Sequence, residues 1–166
     1  MKIIKNILDD DTLKLIHSDL KKQAKEYAWM NSRLVWEHNL YKNSTIGNIS
    51  QTTVSDNIHS IVAYQIKNKS KIKYQKIVIQ HCVWEPLSGL NIHTDDRYKF
   101  SATIYLNKTW DINWGGWFVY LKGKQYIAIP PEYNTCIMNT DHTPHMVSQI
   151  SPLIKHHRHT LQIWGI

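Results

Sequence analysis

The spacing of apolar residues changes near residue 73, from the period of a helix to the period of a strand. Between residues 13 and 27 they recur at helical intervals behind Asp9-Asp10-Asp11, whose carboxylates suit a helix N-terminus. A second helical pattern over 58–66 follows Ser55-Asp56, either of which suits an N-cap. The polar stretch from Asn39 to Thr53 is predicted to be a long loop.

After residue 73 the chain consists of short segments in which apolar and polar residues alternate, separated by turn-forming residues. A succession of short strands predicts a sandwich or jelly roll. We therefore expect one mainly β domain over residues 1–166, with 1–72 as helical support and loop and 73–166 as the β core. The predicted strands are 77–83, 100–106, 117–121, 126–129, 135–138, 145–150 and 160–164.

Composition narrows the class of protein only a little. Twenty Lys and Arg against 13 Asp and Glu give a net charge of +7, which fits either a solvated basic face or an acidic partner such as nucleic acid. We expect a soluble, cytoplasmic protein, because no secretory pattern and no apolar run of about 18 residues is found. The two cysteines, Cys82 and Cys136, are expected to be reduced core thiols.

His93-Thr94-Asp95 is the first candidate for metal binding. It lies in extended sequence, where residues two apart point to the same side and can share an ion. His17-Ser18-Asp19 has the same spacing, but in a predicted helix residues two apart point roughly 200° apart around the axis. Only His93 and Asp95 can therefore chelate.

His145 is the preferred third ligand, because it begins an alternating, strand-like segment. His142 lies in a turn-like stretch before Pro144, and the histidines at 156, 157 and 159 are expected in a solvated turn. Two imidazoles and one carboxylate form the three-point face that binds ferrous iron in oxygen-activating proteins.

Arg158 is the second chemical signal, because it shares a strand face with Thr160 while the other face is apolar. A buried guanidinium requires an anionic partner, and no carboxylate in the chain is an obvious one. A dianion such as 2-oxoglutarate, bridging Fe²⁺ beside Asp95 and the guanidinium, would neutralise the site.

With these residues in place, the chain resembles the prolyl 4-hydroxylase-like branch of the Fe(II)/2-oxoglutarate dioxygenases, particularly the oxygen-sensing prolyl hydroxylases. The resemblance covers about residues 80–164. The motifs that carry it are His93-Thr94-Asp95, the run from Ile104 to Trp110, Gly115-Gly116, the run from Pro144 to Val147, and the run from Arg158 to Trp164.

The resemblance implies a double-stranded β-helix with Fe(II) held by His93, Asp95 and His145. It implies that Arg158 binds the distal carboxylate of 2-oxoglutarate, and its further implied contacts are Tyr105 and Thr160. It also implies that Gly115-Gly116 forms a tight turn near the metal. The chain departs from the family where a tyrosine often stands about ten residues before the first ligand, since Val83-Trp84 is found here.

The implied reaction consumes O₂ and 2-oxoglutarate, releases succinate and CO₂, and hydroxylates a peptidyl side chain, with proline favoured. A free amino acid or another small molecule is the alternative substrate, and a jelly-roll binding module without turnover is the non-enzymatic one. The nucleic-acid demethylase branch is disfavoured, because Trp164 stands where that branch has a second arginine. The segment Trp36–Thr53 and the tryptophans at 110, 114 and 117 are candidate substrate contacts. Ascorbate dependence and oligomeric state are left open.

Overall fold

The computed structural model describes residues 1–26, 30–31, 45–154 and 156–166. In this part of the chain, two helices accompany two antiparallel sheets. The helices are α1 (Asp10–Glu26) and α2 (Asp56–Ser70). The strands are β1 (Lys2–Lys5), β2 (Met30–Asn31), β3 (Thr45–Ile46), β4 (Ile49–Thr53), β5 (Ile77–Trp84), β6 (Gly89–His93), β7 (Phe100–Tyr105), β8 (Phe118–Lys122), β9 (Gln125–Ile129), β10 (Thr135–Asn139), β11 (His145–Val147) and β12 (Arg158–Gly165).

The larger sheet has the strand order β1-β10-β7-β12-β5-β4-β2 and the smaller one β3-β6-β11-β8-β9. Side chains of the two sheets pack together in shared apolar clusters, such as Trp84 of β5 with Leu90 of β6 and Val147 of β11. Two facing antiparallel sheets whose strands alternate between them form a double-stranded β-helix, which confirms the predicted fold class.

The two helices support the opposite face of the larger sheet. Their apolar residues, among them Leu13, Ile16, Ile58 and Val62, pack in one cluster with Ile163 and other residues of the larger sheet. This arrangement buries the helical stripe that the sequence pattern predicted. The face turned toward the smaller sheet is thereby left to line the interior of the β-helix.

The caps of the two helices differ from each other. The Asp9 carboxylate accepts a hydrogen bond from the Thr12 amide at 2.8 Å, as expected for an N-cap. Ser55 precedes α2, but its side chain makes no capping bond. The acidic run before α1 is therefore a true capping signal.

The loop predicted from Asn39 to Thr53 is wrong in its last part, because Ile49–Thr53 forms β4 and pairs with β5. Its polar residues do not reveal a strand, since the hydrogen bonds that form it come from a strand far along the chain. Residues 2–5 and 89–93 also form strands that the pattern did not predict. Of the candidate substrate-contacting segment Trp36–Thr53, positions 36–44 lie outside the described residues.

Cys82 and Cys136 are unpaired and buried, in agreement with the prediction. Burial raises the pKa of each thiol to about 12, so both are protonated at neutral pH. Among the described residues, no helix is long and apolar enough to cross a bilayer. The division at residue 72/73 stays a prediction, although β1 and β4 extend the larger sheet into the first part.

Candidate active site

His93, Asp95 and His145 come together at the ends of two neighbouring strands. His93 ends β6, His145 begins β11, and the two are direct partners in the pairing of these strands. One ligand atom from each of the three residues lies within 4.8 Å of the others, and all three side chains are buried. In this geometry the three residues could hold a single metal ion.

Hydrogen bonds fix which nitrogen of each imidazole faces the site. The Nδ1 of His93 lies 2.8 Å from the carbonyl of Asn91, and the Nδ1 of His145 lies 3.0 Å from the carbonyl of Thr143. A carbonyl oxygen can only accept, so each Nδ1 carries the proton and each Nε2 keeps its lone pair. Both imidazoles are thus held in the form that binds a metal through Nε2.

The Nε2 atom of His145 lies 3.4 Å from Oδ2 of Asp95, and with the proton on Nδ1 both atoms are acceptors. The other carboxylate oxygen of Asp95 is buried and has no hydrogen-bond partner among the described residues. Acceptors that face each other in a buried space repel unless a cation lies between them. The donor set therefore fits a divalent ion that accepts nitrogen and oxygen ligands, as Fe(II) does.

The pKa values of His93 and Asp95 favour the metal-binding forms of these two groups at neutral pH. Burial, followed by the nearby His145, lowers the pKa of His93 to about 4. Burial opposes ionisation of Asp95, but His145 and His93 together bring its pKa below the ordinary value. A neutral His93 and an ionised Asp95 need to release no proton before a metal binds.

Packing holds His145 from two sides. The Phe118 ring stacks on the imidazole with centroids 5.0 Å apart and an interplanar angle of 17°. Asn139 fixes the turn that holds His145, because its side chain accepts from the Thr143 amide at 3.1 Å and donates to the Thr143 carbonyl at 2.9 Å. Sequence reasoning missed both supporting residues; the only signal was the polar Asn139 at the end of an apolar strand.

Arg158 is fully buried at the start of β12, and among the described residues none of its three side-chain nitrogens has a hydrogen-bond partner. The Tyr105 hydroxyl, from the adjacent strand β7, is likewise buried and has no hydrogen-bond partner in this part of the chain. Burial lowers the pKa of Arg158 from its ordinary value, which marks the cost of an uncompensated charge. An anion is the ligand that this group of donors lacks.

Two aromatic rings flank the guanidinium. Its Cζ atom lies 4.6 Å from the centroid of Trp84 and 5.1 Å from that of Tyr105. The Trp84 indole N–H donates to the Thr160 hydroxyl at 3.0 Å. Val83 pairs with His159, so alternation along β5 turns Trp84 and not Val83 toward the guanidinium.

Gly115-Gly116 lies against Arg158. A Cβ on Gly116 would meet Cδ of Arg158 at 3.1 Å and Cγ1 of Ile150 at 3.3 Å, and a Cβ on Gly115 would clash with the Gln149 carbonyl oxygen. Both glycines have positive φ and follow a short 3-10 turn that leads to β8. They therefore allow a close backbone approach to the arginine stem.

The group that could hold a metal ion consists, among the described residues, of His93, Asp95 and His145 only. The alternative third ligands, the histidines at 142, 156, 157 and 159, do not belong to it. His142 lies exposed in a turn with φ +52°, as the sequence indicated. The prediction that His159 lies in a solvated turn is wrong: His159 is a strand residue of β12, and its ring packs on His81 with centroids 5.7 Å apart. The prediction was wrong because the polar residues next to His159 do not show that β12 begins at Arg158.

No protein-family model and no curated protein matches this sequence. Solved structures match its fold over nearly the whole chain. A Trichoplax adhaerens prolyl hydroxylase, in complex with a peptide fragment of the hypoxia inducible factor oxygen degradation domain, has a TM-score of 0.75 at 14% identity and covers 99% of this chain and 82% of its own. A Pseudomonas putida prolyl-4-hydroxylase has a TM-score of 0.71 at 15% identity, covering 99% of this chain and 90% of its own.

The α-ketoglutarate-dependent non-heme epimerase SnoN from nogalamycin biosynthesis also matches, with a TM-score of 0.69 at 11% identity, covering 99% of this chain and 76% of its own. At such low identities, the shared property is the fold. The chain therefore has the double-stranded β-helix of the 2-oxoglutarate-dependent oxygenases, and this confirms at the level of fold the resemblance found in its motifs.

Proposed function

We propose that the protein is an Fe(II)- and 2-oxoglutarate-dependent dioxygenase. The observation that carries this proposal is the pairing of a preformed metal triad with a buried arginine that has no anion. The two features share one interior. Phe118 stacks on the ligand His145 and packs in one cluster with Tyr105, whose ring contacts Arg158.

In this proposal His93, Asp95 and His145 hold Fe(II), and Arg158, Tyr105 and Thr160 hold the distal carboxylate of 2-oxoglutarate. The bound metal and co-substrate would supply the activation of O₂, with release of succinate and CO₂. The protein orients the co-substrate and excludes water, since every residue named is buried. Asp95 occupies one position at the metal, so the proposal favours hydroxylation over halogenation.

A peptidyl side chain, with proline favoured, is the proposed substrate. Its support is the prolyl hydroxylase fold, which one similar structure shows in complex with a peptide. Hydroxylation of a free amino acid or another small molecule is the second candidate, favoured by an epimerase that also fits this fold, with a TM-score of 0.69. A binding module without turnover is the third, and its test is the absence of succinate formation. Cytoplasmic location and any use of ascorbate stay predictions.

The first experiment is an anaerobic titration with Fe(II) and 2-oxoglutarate, followed by the weak visible absorption of the chelate. We expect the band in the wild type, no band in Asp95→Ala, and a band only at much higher 2-oxoglutarate in Arg158→Ala. Asp19→Ala, which alters the His-X-Asp sequence in α1, is the matched control and should bind as the wild type does. No band in the wild type at saturating ligand would refute the proposal.

The second experiment assigns the substrate class. Succinate formation would be measured with proline-containing peptides, with free proline, and with each proline replaced by alanine in the same peptides. We expect turnover only with peptides that contain proline. Succinate release that depends on a free amino acid would favour the second candidate, and its absence with every substrate, despite chelate formation, would favour the binding module.

A further inference from the structure

The environment of Arg158 is built by three strands that lie side by side. In the pairing of β5 with β12, Trp84 is the direct partner of Arg158. In the pairing of β12 with β7, Tyr105 is the direct partner of Thr160. The four side chains therefore form one patch on the inner face of the larger sheet, and each is at most 3% exposed.

The two rings restrict the space open to the guanidinium. With one ring centroid 4.6 Å and another 5.1 Å from Cζ, the charge is stabilised over both aromatic rings, while its N–H groups have no hydrogen-bond partner among the described residues. Carboxylates bind a guanidinium through two parallel hydrogen bonds. A guanidinium already held by packing loses less freedom when its anion binds.

The hydrogen bond from Trp84 determines how the Thr160 hydroxyl can bond to other groups. It can both donate and accept, but the indole N–H of Trp84 can only donate. With the indole hydrogen bond of 3.0 Å in place, the hydroxyl acts as acceptor toward Trp84. Its own proton then remains to be donated to a group in the pocket.

We propose that Trp84 is a positioning residue for the acidic co-substrate, acting through Thr160 and Arg158. Its N–H orients the Thr160 hydroxyl so that this hydroxyl donates to the distal carboxylate, and its ring packs on the guanidinium that binds the same carboxylate. This inference rests on the proposed function. It assigns a defined role to the residue at which the chain departs from the tyrosine of the similar family.

The test is the anaerobic 2-oxoglutarate titration, repeated by calorimetry, with Trp84→Phe, Thr160→Val and the double variant. Loss of the indole donor or of the hydroxyl should each weaken 2-oxoglutarate binding by roughly 5- to 50-fold, as for a buried polar group that loses its partner. Because Trp84 acts through Thr160, the double variant should bind within about threefold of Thr160→Val alone. Fe(II) affinity should not change in any of the three.

Two matched variants complete the design. Tyr74→Phe removes another hydrogen bond of an aromatic side chain, from the Tyr74 hydroxyl to the Ala63 carbonyl at 2.9 Å, and should leave 2-oxoglutarate affinity unchanged. Thr160→Ser keeps a hydroxyl and should stay within about threefold of the wild type. In turnover, Trp84→Phe should raise the KM for 2-oxoglutarate with little change in kcat.

Wild-type affinity in Trp84→Phe or in Thr160→Val would overturn the inference while the wild-type chelate band leaves the proposed function intact. Additive losses in the double variant would also overturn it, because they would mean that Trp84 does not act through Thr160. A wild type without any chelate band would overturn the proposed function and this inference together. If Trp84→Phe fails to fold, the comparison of Thr160→Val with Thr160→Ser still decides the role of the hydroxyl on which the inference depends.

Discussion

His93 and His145 are direct cross-strand partners in β6 and β11, and their ring centroids lie 4.3 Å apart. Strand pairing therefore brings together two candidate ligands that lie far apart in the chain. The third candidate ligand, Asp95, follows His93 at the spacing that keeps both on one side. The candidate metal site thus depends on the sheet register, and changes to that register or its supports should alter metal affinity first.

Replacement of His145 should weaken Fe(II) binding, whereas replacement of the alternative candidate His142 should not. His145→Ala should lower Fe(II) affinity by more than about 100-fold, since a ligand matters more than the groups that support it. His142→Ala should bind within about twofold of the wild type, because His142 is exposed and outside the metal group. Anaerobic calorimetry with Fe(II) measures both. Equal losses in the two variants would contradict the assignment.

Asn139→Ala should weaken Fe(II) binding by about 10- to 100-fold, the range expected when a support of a ligand is lost. Asn139 fixes Thr143 through two hydrogen bonds, and the Thr143 carbonyl accepts the Nδ1 proton of His145. Without Asn139 this turn loses the bonds that orient the imidazole. Asn113→Ala, at an exposed position, is the control. Unchanged Fe(II) affinity in Asn139→Ala would show that the strand alone orients His145.

Arg158→Met should greatly weaken 2-oxoglutarate binding and yet stabilise the protein without ligands. The side chain is fully buried and its guanidinium has no hydrogen-bond partner among the described residues, so methionine removes a poorly compensated charge and retains much of the apolar contact. We expect the unfolding midpoint to rise by about 2 °C or more, which is roughly 1 kcal/mol in a domain of this size. Arg97→Met, at an exposed site, should change neither quantity. A lower midpoint for Arg158→Met would refute the prediction.

Gly116→Ala should lower both stability and 2-oxoglutarate affinity, and Gly123→Ala is its matched control. Both glycines have φ near +65°, so alanine strains the backbone at each site, by roughly 1 to 2 kcal/mol. Only at Gly116 would the new methyl group also press on Arg158; at Gly123 nothing lies within 4 Å. Chemical denaturation and the 2-oxoglutarate titration measure the two effects. Equal 2-oxoglutarate affinity in both variants would show that Arg158 adjusts without loss.

Acid should destabilise the metal-free protein between about pH 6.5 and pH 4, in part through His159. Burial, followed by the charges of His157 and His17, lowers the pKa of His159 to about 4. Because the native pKa lies below the unfolded one, this contribution is complete above about pH 6.5 and is lost as the pH falls toward 4. The loss should reach about 2 kcal/mol at pH 5 as an upper value.

The measurement is the denaturant midpoint at pH 7 and pH 5 for the wild type, His159→Gln and His142→Gln. His159→Gln should show a smaller loss of stability at pH 5 than the wild type, and His142→Gln the same loss. An unchanged loss in His159→Gln would assign the acid sensitivity to other groups, such as the buried His81, whose pKa burial also lowers.

Local pattern was enough to predict the class of fold, the grouping of the three metal-binding candidates and the burial of Arg158 on a strand face. Alternation along a strand is a property of neighbouring residues, so it shows in the sequence that His93 and Asp95 share a side and that Arg158 lies on a strand face with Thr160. The capping run before α1 is local for the same reason. These predictions needed no knowledge of which strands pair.

Tertiary structure decided what depends on pairing between distant segments. The polar strand β4 forms because it pairs with the edge of β5. His159 lies in β12, where its ring packs beside that of His81. The contact of Trp84 with Arg158 and Thr160 exists only because β5 and β12 pair in one register. A shift by one residue would turn Val83 to the site instead. Register arises from the packing of both sheets together, and no single segment of the sequence contains it.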